Sequence, residues 1–264
     1  MSSYRILFLG DIVGRPGRGA VAEALPTLMD THDPTFVIVN GENSAAGVGI
    51  TPEIADSLLK SGVDAITLGN HAFNKREING YLDSGAPIVR PGNMPQRVPG
   101  KGVCHVERDG VRLRVVNLCG RVFMDSYGDP FEWIEPHLDH AHVFIDFHAE
   151  ATSEKIAFGY HVDGRATAIV GTHTHVTTAD ETILPGGTAY ITDVGMCGPV
   201  HSVLGMDKDV ILHRFRTGLP TRFEVAETDG VISGVVIDVN KETGRALAIQ
   251  RISGGATTRT AKKQ

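Results

Sequence analysis

The sequence predicts an α/β fold, and three observations carry that expectation. Apolar, β-branched runs alternate with helix-forming stretches across residues 5–89. The first three strands so delimited each end in a glycine beside polar residues able to ligate or titrate, the place where open α/β sheets keep their chemistry. Further along, a hairpin pattern and two long closing strands add antiparallel pairing.

Taken in order, Arg5-Ile6-Leu7-Phe8-Leu9-Gly10 reads as a buried first strand with Asp11 at its C-terminal edge. The glycine-rich loop after it has neither Gly-x-Gly-x-x-Gly nor Gly-Lys-Ser/Thr spacing, so both nucleotide-loop motifs fail. A helix over about 19–30 follows. Residues 36–40 form a second strand, followed by Gly41-Glu42-Asn43. Thr51 as N-cap and Pro52 in the first turn open a helix to about Ser61, closed by Gly62. Residues 64–68 form a third strand, followed by Gly69-Asn70-His71. Taken singly, Asp11, Asn43 or Asn70 reads as a turn residue. Three such groups at equivalent strand ends argue for a shared site.

Residues 75–83 suggest a short helix and 87–89 a short strand. Residues 103–108 and 111–118 make a hairpin around Asp109-Gly110. The aromatic stretch 123–136 lacks periodicity and reads as a surface loop packed on itself, with a pocket wall or lid as the alternative. Residues 141–147 form a strand delivering His148, and Thr152 or Ser153 caps a helix to about Gly159. Residues 166–170 lead into Gly171-Thr172-His173-Thr174-His175. In an extended segment i and i+2 share a side, so His173 and His175 aim two imidazoles at one point. A strand over 188–191, a helix over 206–216 and a hairpin of 230–239 with 246–252 complete the chain. The expectation is one domain over 1–254 and a polar tail over 255–264.

Composition narrows the function. The 264 residues are 41% hydrophobic and 21% charged, with net charge −6. The only basic block is the short 259–263 tail, so a long nucleic acid is a poor partner and a small nucleotide an acceptable one. Cys104, Cys119 and Cys197 form no Cys-x-x-Cys pair, which suits a reducing cytoplasm. No signal-peptide pattern opens the chain, and no apolar run approaches the ~20 residues of a membrane span. A homo-oligomer is compatible with all of this.

Collected, the strand-end residues are Asp11, Glu42, Asn43, Asn70, His71, His148, His173 and His175. Carboxylate, amide oxygen and imidazole together suit Fe, Mn or Zn, and the lack of thiolate speaks against a structural zinc cage. The set is too large for one tetrahedral ion and about enough for two, with Glu42 the natural bridge. Two ions roughly 3.5–4 Å apart hold a bridging hydroxide and clamp both oxygens of an in-line phosphoryl displacement. Phosphoester hydrolysis is the chemistry this favours.

The order of these motifs resembles the calcineurin-like metallophosphoesterases, whose signature runs Asp-x-His, Gly-Asp, Gly-Asn-His, a lone His and Gly-His-x-His. Here the succession is Asp11-Ile12-Val13, Gly41-Glu42-Asn43, Gly69-Asn70-His71, His148 and His173-Thr174-His175. Val13 replaces the first histidine and Glu42 the bridging aspartate. Those departures, with His148-Ala149-Glu150-Ala151-Thr152-Ser153-Glu154-Lys155, are similar to the YmdB-like branch. The resemblance implies a four-layer α-β-β-α sandwich, a dinuclear metal site at strand C-terminal ends and 2′,3′-cyclic-nucleotide phosphodiesterase activity. It further implies that Asp11, Asn43 and His175 serve one ion, Asn70, His148 and His173 the other, and Glu42 both. His71 becomes the general acid, with a role in orienting Asn70 as its alternative. Iron is the usual metal of the family, and manganese fits the same donors. The alternatives are a phosphomonoesterase on the same centre and a regulatory protein that binds metal or nucleotide without turnover. Arg15, Arg18, His201 and Cys197 have weaker claims and read as loop, surface or packing residues.

Overall fold

The computed structural model describes residues 2–255. Its first part holds β1 (Ser3–Leu9), β2 (Asp11–Ile12), α1 (Gly14–His32), β3 (Phe36–Asn40), α2 (Pro52–Lys60), β4 (Ala65–Thr67), α3 (Ile78–Leu82) and β5 (Ile88–Val89). Then follow β6 (Val103–Arg108), β7 (Val111–Cys119), α4 (Pro130–Ile134), β8 (Val143–His148), α5 (Thr152–Val162) and β9 (Ala168–Thr172). The last are β10 (Thr182–Ile183), β11 (Ala189–Ile191), β12 (Met196–Pro199), α6 (Lys208–Thr217), β13 (Gly230–Asn240) and β14 (Ala246–Gly255).

Among the described residues these strands form two sheets. One has the order β2-β12-β13-β1-β3-β4-β5, with β14 added on β13; the other runs β10-β11-β9-β8-β7-β6. Strands β1, β3, β4 and β5 are mutually parallel, as are β7, β8, β9 and β11. The two-residue period of a strand sorts the core into layers. Ile6, Phe8 and Ile38 face Val115, Phe144 and Val170 between the sheets. Leu7, Leu9, Val37 and Val39 turn the other way, onto Val21 and Leu25 of α1 and Ala55 and Leu58 of α2. Ile145, Phe147 and Ile169 pack under Phe158 and Val162 of α5. The layers therefore run helix, sheet, sheet, helix. Each fully buried Phe, Leu or Ile contributes about 1.5–3 kcal/mol, so the parallel strands need no polar face.

Several boundaries differ from expectation. Helix α1 starts at Gly14, not Gly19, because Pro16 sits where no backbone donor is needed and Gly17 lies against Cys197. A Cβ on Gly17 would stand 2.1 Å from the Cys197 carbonyl oxygen. Asp11 belongs to a separate short strand paired with β12 rather than to the end of β1. Helix α3 covers only Ile78–Leu82. The aromatic stretch contains α4, capped by the Asp129 carboxylate over the N–H groups of Phe131 and Glu132. Helix α5 has no side-chain cap from Thr152 or Ser153; its N-cap is Ala151, and it runs on to Val162. Strand β14 extends through Gly255, and the remainder of the expected tail lies outside the described residues. No described helix is long and apolar enough to cross a membrane.

Candidate metal centre

The C-terminal ends of β3, β4, β8 and β9 meet at one edge. Register places Cys119, His148 and Thr172 in one row across β7, β8 and β9. His148 is fully buried at the centre of the group. Its Nδ1 donates to the Thr172 hydroxyl at 2.9 Å, because that hydroxyl itself donates to Asp146 at 2.6 Å. Asp146 is fixed in turn by Asn40 and Thr67. This chain leaves His148 Nε2 facing inward, as a ligating imidazole is set by the partner of its other nitrogen.

Four atoms converge there. Nε2 of His148 lies 3.0 Å from Glu42 Oε1, 2.9 Å from Asn70 Oδ1 and 3.0 Å from His173 Nδ1. His173 gives its Nε2 proton to Glu150 at 3.1 Å, so its Nδ1 also presents a lone pair. Two imidazole nitrogens, a carboxylate oxygen and an amide oxygen thus face one another with no donor of their own. Only a cation between them, a proton included, relieves the repulsion. Burial opposes charge on His148, yet the Glu42, Asp11 and Asp146 carboxylates pull its pKa up to about 9. Burial also opposes charge on Glu42, but His148 and His71 outweigh it and hold that carboxyl at about 2. His173, partly desolvated and beside His148, is pushed down to about 3.

A second, looser group adjoins the first. Asp11 Oδ2 accepts from the His173 N–H at 3.2 Å, whereas the buried Oδ1 has no hydrogen-bond partner. Oδ1 stands 3.9 Å from His175 Nε2 and 3.8 Å from His148 Nδ1. His175 donates from Nδ1 to the Leu204 carbonyl at 3.0 Å, which frees Nε2 to face Asn43 at 3.1 Å. Asn43 turns its NH₂, not its carbonyl, toward His175 and Glu42, so the amide oxygen expected as a ligand points away until the amide flips. His71 is half-buried at the rim; its backbone N–H donates to Glu42 Oε2 at 3.1 Å, and its Nε2 lies 3.4 Å from Asn70 Nδ2.

The histidine pair does not lie in a strand. Strand β9 ends at Thr172, and His173 and His175 take φ of 96° and 64°, so each imidazole reaches a different group. Left-handed backbone at two non-glycine residues costs of order 1–3 kcal/mol each and requires an over-determined surrounding. Asp193 supplies it. Its Oδ2 accepts from Thr174 N at 3.2 Å, Thr174 Oγ1 at 2.8 Å and Lys155 Nζ at 2.7 Å. Val13, where the signature histidine is missing, is buried against Gly198 and Gly205, beneath the turn that carries Leu204. Thr172, Glu150 and Lys155 stand in the quoted motifs without a role, and Asp146 and Asp193 are not among the candidate residues. Asp146, a carboxylate inside the apolar run 141–147, is the one of them with a signal in the sequence.

Gly69 sets the spacing. A Cβ there would lie 2.2 Å from Glu42 Oε2 and 2.5 Å from the His148 ring. Gly69→Ala is expected to displace both side chains and to lower kcat by about a hundredfold. Steady-state kinetics check this, and an alanine variant with native kcat would show the site tolerates that shift.

Residues 7–252 match the family described as YmdB-like protein. The chain is 53% identical over 253 residues to a protein of Bacillus subtilis named 2′,3′-cyclic-nucleotide 2′-phosphodiesterase, covering 94% of this chain and 96% of that one. It superposes on a crystal structure of a hypothetical protein from Thermus thermophilus with TM-score 0.90 and 42% identity, covering 95% and 99% of the two chains. The crystal structure of a novel phosphatase from Mycoplasma pneumoniae gives TM-score 0.92 at 35% identity, over 97% and 94%.

Proposed function

The chain belongs to the YmdB-like family, and we propose that this hydrolase opens small phosphodiesters, 2′,3′-cyclic nucleotides first among them, with metal ions held at the strand ends. The observation that carries the reading is the convergence of four acceptors, two of them imidazole nitrogens 3.0 Å apart, beside the partnerless Asp11 Oδ1. Such a donor set fits cations of the iron or manganese kind. Glu42, Asn70, His148 and His173 would hold one ion, and Asp11, His175 and a flipped Asn43 a second, with Glu42 between them. When bound, the ions supply Lewis acidity toward the phosphoryl oxygens and a water acidified enough to attack near neutral pH.

The chain's own groups do the rest. Thr172 and Glu150 keep the two central imidazoles in their ligating tautomers. The His71 backbone fixes Glu42, and its imidazole, at the rim, protonates the departing ribose 2′-oxygen as the P–O bond breaks. His71→Ala is therefore expected to lower kcat by about 10²–10⁴ with bound metal unchanged. Equal loss of metal would instead assign His71 to orienting Asn70.

The decisive assay uses protein stripped of metal and reloaded with Fe²⁺ or Mn²⁺, given 2′,3′-cyclic AMP, 3′,5′-cyclic AMP and a simple phosphomonoester. Metal-dependent turnover favouring the 2′,3′-cyclic diester is expected. Turnover of the monoester alone would discard the substrate class and keep the centre. No turnover with either metal would leave a binding protein.

A further inference from the structure

Loop 120–129 leaves β7 at the row that contains His148. Gly120 is seated against the segment after β8, where a Cβ would stand 2.5 Å from both Ala149 Cβ and a Glu154 oxygen. The loop is pinned at both ends. Glu154 accepts from the N–H groups of Arg121 at 2.9 Å and Val122 at 3.1 Å. At the far end Asn93 Nδ2 donates to the Gly128 carbonyl at 2.9 Å and the Asn93 carbonyl accepts from Gly128 N at 2.8 Å. The Arg121–Asp129 ion pair, 2.9 Å, ties one end to the other.

Between the pins, Phe123 is 88% exposed, and its φ is +61°. A bulky residue in the left-handed region is an outlier, and an aromatic ring left in water is a second local cost at the same position. Both are imposed by a loop whose ends are firmly held. Phe123 follows Cys119, the register partner of His148, by a stretch of chain that spans at most about 14 Å. The ring therefore stands on a loop that begins at the strand row holding His148.

We propose that Phe123 is the base-stacking residue of this site, offering its ring to the face of the substrate's nucleobase. The inference rests on the phosphodiesterase reading above and adds to it a way to distinguish nucleotides from diesters without a base. Stacking on an exposed ring accepts every base, because each has a π-face, and favours the larger purine surface. It fixes the nucleoside end while the metal ligands fix the phosphate, which orients the scissile bond.

Phe123→Gly tests this without a folding penalty, since glycine takes a positive φ freely and the melting temperature should stay level or rise. The variant is expected to lose about tenfold to a hundredfold in kcat/KM for 2′,3′-cyclic AMP, chiefly through KM. On 1-O-methylribose 2′,3′-cyclic phosphate, which has no base, it should match the parent. Phe123→Trp should restore the nucleotide preference, and its indole emission should be quenched by adenosine 3′-monophosphate. Equal losses on both substrates, or on neither, would overturn the stacking role. Should the parent turn over no cyclic nucleotide, the phosphodiesterase reading fails on its own. Equilibrium binding of adenosine 3′-monophosphate to parent and Phe123→Gly then decides the stacking role: weaker binding to the variant supports it, and equal binding overturns it.

Discussion

Glu42→Gln is expected to lower kcat by about a thousandfold or more and to release bound metal, although the side chain keeps its size. The two oxygens of Glu42 serve different neighbours. Oε1 meets His148 and Asn43, and Oε2 accepts the His71 backbone N–H. Glutamine removes a full negative charge from a site where burial leaves little solvent screening. It also places an NH₂ on one of those positions, so a donor points at the cation site or at the His71 N–H. Several kcal/mol of electrostatic stabilisation are at stake, and each 1.4 kcal/mol is a factor of about ten in rate. Metal analysis of the purified variant, alongside its kcat on 2′,3′-cyclic AMP, checks both halves. A variant with native metal content and native turnover would remove Glu42 from the centre.

Lys155→Met should destabilise the fold by about 3–5 kcal/mol, the cost of leaving a buried carboxylate without its counter-ion. Lys155 and Asp193 are each about 1% exposed in the side chain and meet at 2.7 Å. For a chain of this size that corresponds to a fall in melting temperature of about 10 °C. Activity should fall as well, because Asp193 is the group that holds Thr174 between the two histidines. Adding Asp193→Asn to Lys155→Met should recover part of the stability, since the unpaired charge is then gone. Thermal unfolding of the three variants decides the matter. If Lys155→Met melts with the parent, the ion pair contributes nothing net and the histidine loop is held by its hydrogen bonds alone.

The strands and their terminal residues were legible in the sequence. Runs such as residues 36–39 are apolar at every position because both faces are covered, and that requirement shows in composition alone. Asp11, Glu42, Asn70, His148 and His173 could be collected because each follows or ends such a run, and the structure does bring them to one edge. The start of α1 was not legible, since Gly14, Pro16 and Gly17 mimic a loop until Cys197 is seen packed against Gly17. Nor was the backbone of His173 and His175: a polar pair after a strand looks extended, and only Asp193 and Leu204, distant in the chain, hold it in the left-handed region.

The direction of each ligating atom was decided by tertiary structure. His148 points Nε2 inward because Thr172, 24 residues later, takes its other proton, and Asp11 meets the His173 N–H across 162 residues. Burial is a property of one residue and its periodic neighbours, so it is written locally. Tautomer, amide orientation and charge state depend on which distant donor or acceptor closes the remaining hydrogen bond, and that partner exists only once the sheets have packed.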